Sequence, residues 1–200
     1  LLMTKSKDLN NYIDLYRDFL HPNPNINSKA IFYLRKDFRD EFLKDLLNNL
    51  KKEDIFTRRK SILALGEYGE EVFNLLVPLY CNSQNQTVKV SCLKTIMKVV
   101  VNFKLKRLDK DLMSLLYSAI EESSPEIILS VVSILRQLGP AGRDVLMQTC
   151  RDKDILRAKA SISALLEMKD QSVNNLFNEL LNDNSTDPMI KEDILRDKII

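Results

Sequence analysis

The sequence predicts an all-α protein, a right-handed α-α superhelix of about six helical hairpins. Three observations predict it. Apolar residues recur at helical spacing along the 200-residue chain. Turn-formers are scarce, with four glycines and six prolines, where a many-stranded β protein needs a turn signal every ~8–12 residues. And one apolar-anchored segment returns in register along the chain.

The segment is clearest in the run EDIFTRRKSILALGEYG at 53–69. Asp54 is a good N-cap, an apolar face follows, and Gly66 and Gly69 mark the end. Taking Leu65 as anchor, Leu34, Leu65, Ile96, Leu135, Leu165 and Leu195 align, at separations of 31, 31, 39, 30 and 30. Eleven residues before each anchor stand Asn23, Asp54, Asn85, Ser124, Asp154 and Asn184. All can accept backbone N–H bonds at a helix start. Three residues before the anchors stand Ile31, Ile62, Leu93, Val132 and Ile162, with Glu192 breaking the series. Four before stand Ala30, Ser61, Cys92, Val131 and Ser161, small enough to let neighbouring helices approach.

Each such helix follows another with i, i+3, i+4, i+7 apolar spacing. The sets are Tyr12, Leu15, Tyr16, Phe19; Leu43, Leu46, Leu47, Leu50; Val72, Leu75, Leu76, Leu79; Leu112, Leu115, Leu116, Ala119; the weaker Val145, Leu146, Cys150; and Val173, Leu176, Phe177, Leu180. A single hairpin cannot bury both its faces, and stacking buries each against its neighbours. The chain therefore reads as one domain over 1–200, with hairpins at 8–37, 39–69, 70–101, 109–139, 141–168 and 170–199. The separation of 39 places about nine extra residues at 101–109, a longer connection. Asp187, Lys191 and Glu192 suit a polar terminal repeat. Tyr12, Tyr16, Phe32 and Tyr33 suit either a thick first cap or a partner surface.

Composition narrows the chemistry. Lys+Arg 30 against Asp+Glu 28 is no footprint of a strongly basic nucleic-acid binder. No apolar run approaches the ~18 residues of a membrane span, and no signal-peptide pattern opens the chain, so a cytoplasmic location (or a plastid stroma) is expected. Cys81, Cys92 and Cys150 form no CxxC pair and read as reduced, buried thiols. No phosphate loop, dinucleotide fingerprint or HExxH occurs, and no metal site is expected. His21, the one histidine, sits in the turn LHPNPN and reads as solvated. Glu70-Glu71 and Glu121-Glu122 read as solvated helix-end pairs rather than a catalytic dyad. The catalytic residues, if any, are unknown from sequence.

The outward face of the second helices carries more. Positions −5, −2 and +2 from the anchor read Lys29, Phe32, Lys36; Lys60, Leu63, Glu67; Ser91, Lys94, Lys98; then Ser130, Ser133, Gln137; and Ala160, Ser163, Glu167. Basic residues gather early: the first hundred residues hold 16 Lys+Arg against 12 Asp+Glu, the second hundred 14 against 16. Lys29, Phe32, Arg58, Arg59, Lys60, Leu63, Lys94 and Lys98 are the candidate binding residues. They form either an ordinary solvated face or a surface for a flat apolar ligand with pendant carboxylates, or for an acidic protein.

The ALG-bearing unit at 53–69 and DILRAKASISALLEM at 154–168 resemble the short E–Z type HEAT-like repeat. LHPNPN with AIFYL at 20–34, and VKVSCLKTIMKVVVNF at 88–103, resemble the E/F-type phycobilin lyase subunits, in particular the Z-type subunit of phycoerythrin biogenesis. The fourth and fifth units depart from the pattern, reading ILRQLG and ALLEMK. The resemblance implies an α-solenoid that takes a phycobilin as substrate rather than as a resident cofactor. It implies a phycobiliprotein subunit and a related lyase subunit as partners, the latter in a heterodimer. The activity implied is that of a lyase subunit or an associated chaperone, assisting bilin attachment to a cysteine of the acceptor. Two alternatives stand beside it: a non-enzymatic scaffold binding phycobiliproteins, as in phycobilisome turnover, and a general protein-interaction adaptor.

Overall fold

The computed structural model describes residues 2–197, with side chains from 10 to 196. Among the described residues there are twelve α-helices and no strand, the all-α class that the periodicity predicts. The chain divides into two compact units, 1–72 and 73–200.

The first unit holds α1 (Leu2–Phe19), α2 (Pro24–Asp37), α3 (Arg39–Asn49), α4 (Ile55–Leu65) and a 3-10 turn at Gly69–Val72. Its helices pack in chain order, α1 on α2, α2 on α3 and α3 on α4. The Tyr12, Tyr16 and Phe19 rings meet Phe38 and Phe42 at tilted and edge-on angles, the geometry aromatic quadrupoles favour. The Tyr12 hydroxyl donates to Asp45 at 2.6 Å. Asn49, buried, donates to the Tyr16 hydroxyl at 2.7 Å and to Ser61 Oγ at 2.9 Å. Asn49 and Ser61 thereby find partners, and Tyr12 and Tyr16 are half-buried in the aromatic cluster.

The second unit holds α5 (Phe73–Cys81), α6 (Gln86–Asn102), α7 (Lys110–Ile120), α8 (Pro125–Leu138), α9 (Pro140–Thr149), α10 (Ile155–Met168), α11 (Val173–Asn182) and α12 (Pro188–Asp197). It is built in two layers. In one, α6 packs on α8, α8 on α10 and α10 on α12; the hairpin partners α5, α7, α9 and α11 cover the other side. Gly142 fits against the backbone of α8, where an added Cβ would lie 2.0 Å from the Leu135 carbonyl oxygen. Only glycine permits so close a crossing.

Five of the six expected caps form. Asn23, Asp54, Asn85, Ser124 and Asp154 each accept a backbone N–H from the first turn of α2, α4, α6, α8 and α10. The five anchors Leu34, Leu65, Ile96, Leu135 and Leu165 are buried, and so are Ala30, Ser61, Cys92, Val131 and Ser161. One cause serves both: a cap fixes where the helix starts, and 3.6 residues per turn then fixes which positions face inward.

The sixth repeat is a correction. Leu195 is 48% exposed, whereas Ile194 is fully buried. Asn184 does not cap the helix; Asp187 does, accepting from Met189 N at 2.8 Å. Pro188 explains the shift. A proline disfavours helical backbone at the residue before it and suits the first helical position, so α12 begins at 188 rather than a turn earlier. Asp183 meanwhile closes its own turn on Ser185.

Four smaller differences have local causes. Leu75 faces solvent, because the 3-10 turn rotates the entry to α5 and buries Val72, Phe73, Leu76 and Tyr80 instead. Cys81, the last residue of α5, is exposed. The insertion at 101–109 is partly helix. There α6 runs to Asn102 and stops at Lys104, whose φ of 51° lets Leu105 N donate to Val100 O at 2.9 Å. The acidic pairs are not simply solvated. Glu71 pairs with Arg39, Glu121 with Arg157, and Glu122 with Lys89 and the Tyr80 hydroxyl.

Candidate functional site

In the first unit, α2 presents Lys29, Phe32 and Tyr33, and α4 presents Arg59, Lys60 and Leu63. Phe32 is 61% exposed and Leu63 47%. These are large apolar side chains left in water beside cations. Phe32 and Tyr33 stack edge-on with centroids 5.4 Å apart. Lys60 is half-committed: its Nζ donates to the His21 carbonyl at 3.2 Å and lies 5.5 Å from the Phe56 ring centroid. Arg58 is spent on the fold, donating to the Lys52 and Glu53 carbonyls at 2.6 and 2.7 Å and closing the turn into α4. Lys29 and Arg59 stand exposed.

Lys94 and Lys98 belong to the second unit, one turn apart on α6. Neither forms an ion pair with another described residue. Beside Lys94 runs an open groove of about 400 Å³ between α6 and α8, lined by Leu93, Met97, Glu126, Leu129, Ser130 and Ser133. A second groove of about 480 Å³ continues from Leu129 across α10 to α12, lined by Leu156, Lys159, Ala160, Ser163 and Leu166. Leu129, 49% exposed, forms the ridge between them. The two grooves make one apolar face with small residues at its floor.

Sequence reasoning found Lys94, Lys98 and the small residues here but not the apolar ones. Leu129 lies one turn before Ser133, so the −2 stripe extended to −6 finds it. Met97 and Leu166 occupy the position after the anchor, on the rim rather than the centre of that face.

Of the three thiols, Cys81 is exposed and the other two are buried. Burial pushes the Cys92 thiol up to about 12 and the Cys150 thiol up to about 11, so both stay protonated and unreactive at neutral pH. His21 Nδ1 accepts from Asn23 N at 3.0 Å in an exposed turn. Burial likewise raises the phenols of Tyr12 and Tyr80, with hydrogen bonds to Asp45 and Glu122 adding to it. The described residues contain no group of three or more His, Cys, Asp or Glu that converges as for a metal. No described helix is long and apolar enough to cross a membrane.

Comparison with known proteins gives these faces a context. The chain is 27% identical over 169 residues to the bilin biosynthesis protein CpeZ of Synechococcus sp. strain WH8020, spanning 82% of this chain and 91% of that one. That similarity supports the resemblance to the Z-type phycobilin lyase subunits. A second relative, the uncharacterized phycocyanin operon protein Z of Pseudanabaena tenuis strain PCC 7409, is 22% identical over 178 residues, 88% of each chain. No family model matches. An engineered protein of known structure aligns over 94% of each chain at 12% identity and a TM-score of 0.46. Homology over most of the length agrees with the resemblance carried by the 20–34 and 88–103 segments.

Proposed function

We propose that this protein assists the maturation of a phycobiliprotein, as a lyase subunit or lyase-associated chaperone that holds a phycobilin or the acceptor subunit while the thioether forms. The relationship to a bilin biosynthesis protein over 82% of the chain carries the reading. The side chains support a binding role. Two exposed apolar and cationic faces are on offer, while the Cys92 and Cys150 thiols are held protonated by burial. A bilin has a conjugated apolar body and two propionates, and the first-unit face, with Phe32 and Leu63 beside Lys29 and Lys60, complements both. On this reading the nucleophilic cysteine sits on the acceptor, and this chain contributes orientation. A related lyase subunit completes the heterodimer.

Co-expression tests it. The chain is produced with a bilin source, a phycobiliprotein subunit and a candidate partner subunit, with and without each component. Covalent chromophore on the acceptor, read by in-gel pigment fluorescence, and soluble acceptor yield are expected to rise when this chain is present. If neither changes with any acceptor, the proposal is wrong.

A further inference from the structure

We propose that the face of α6, α8 and α10 in the second unit docks an acidic amphipathic helix of a partner protein, not the pigment. The inference deepens the maturation role above and rests on it for the identity of the probes.

The shape of the face argues first. Both grooves are open along their length and share the ridge at Leu129. A small ligand lying in either would keep one side in water, whereas small-molecule sites bury ~70–90% of their ligand. Two shallow apolar troughs separated by a ridge instead suit a helix that sets one apolar anchor on each side, as ridges pack into grooves.

Hydrogen-bonding capacity argues second. Ser130 Oγ donates to the Glu126 carbonyl at 2.7 Å, and Ser133 Oγ to the Leu129 carbonyl at 2.8 Å. Their hydroxyl protons are spent within α8. An extended segment brings backbone N–H and C=O groups that need partners, and this face has no strand edge to pair with. A helix satisfies its own backbone and asks only for contact. Ser130, Ser133, Ala160 and Ser163 are short enough to admit it closely.

Charge argues third. Around the face, Lys159 is paired with Asp193 at 3.1 Å, Arg196 with Glu192 at 2.5 Å, and Arg136 with Glu167. Lys94 and Lys98 have no such pairing among the described residues. Glu126, in the first turn of α8, lies where the helix dipole already favours an anion. The unmatched charge is therefore positive and lies along α6, so the partner helix carries its acidic residues on that flank.

The test uses the full chain and three variants: S133W and S163W, which fill one groove each, and K94E/K98E. Circular dichroism and thermal unfolding confirm that each remains folded. The probes are purified apo-phycobiliprotein subunits and, separately, free phycobilin. Each tryptophan variant is expected to weaken subunit binding at least tenfold. K94E/K98E is expected to weaken it and to flatten its salt dependence. Free-bilin titration is expected to be unchanged in all three. A photo-crosslinker at position 133 is expected to mark partner residues at i, i+3 or i+4, and i+7. Subunit binding indifferent to all three variants overturns this inference and leaves the maturation role standing. So do crosslinks at alternate residues, or bilin binding lost in S133W or S163W. If the unaltered chain binds neither subunit nor bilin, both proposals fall.

Discussion

Single residues set where helices begin, and the caps show it best. The Asp54 carboxylate accepts from both Phe56 N and Thr57 N, and a hydrogen bond from the Thr57 side chain, followed by these backbone bonds, holds its pKa below the usual carboxylate value. D54A is expected to cost about 1 kcal/mol in urea unfolding. N184A is expected to cost nothing measurable, because Asp187 does the capping there. Asp170 gives the pH dependence. The Arg143 guanidinium, at 2.6 Å, and then Ser172 hold its carboxyl down to about 2 from an ordinary 3.8. A folded value below the unfolded one adds stability that is complete above about pH 4 and is lost as pH falls toward about 2. In R143A the Asp170 carboxyl, followed by NMR, is expected to titrate closer to 3.8, and the acid transition to begin at higher pH.

At the scale of the element, repeats keep register only while caps and helix starts keep pace. In α12 Pro188 delays the start, and the inward positions become Ile190 and Ile194. I194A is expected to cost about 2–5 kcal/mol as a buried truncation, and L195A under about 0.5 kcal/mol as a surface change. Equal losses in the two would restore the register read from spacing alone. The proline was visible in the sequence, directly after Asp187, just as Pro24 follows Asn23 and Pro125 follows Ser124. Read as a start signal it outranks the thirty-residue spacing, because sterics at the pre-proline residue cannot be traded against period. Leu75 carried no such signal. Its exposure follows from a 3-10 turn, which has no hydrophobic period of its own.

At the scale of the molecule, the two units carry different surfaces and predict different phenotypes. K29E/K60E places two acids beside Phe32 and Leu63 in the first unit and breaks the Lys60 contact with the His21 carbonyl. If the first-unit face binds the pigment's propionates, that variant should weaken bilin binding several-fold in absorbance titration while subunit binding stays near that of the unaltered chain. K94E/K98E should show the converse. Coincident losses in both assays would mean that pigment and acceptor are not divided between the faces.

The sequence alone determined the helical class, the order of the hairpins, five of six caps and five of six anchors. Each follows from local rules: helical period, cap chemistry and the inward phase they impose. It also marked Lys94, Lys98, Phe32 and Leu63 as outward-facing, since a helical wheel needs no tertiary information. Only the tertiary structure decided which outward residues meet. The ridge at Leu129 between two grooves, the use of Arg58 to close a turn, and the pairing of Glu71, Glu121 and Glu122 all join residues that are separated by a fold rather than by a period. Contact between distant helices depends on how side chains interlock across a layer, and no repeat in one dimension encodes that.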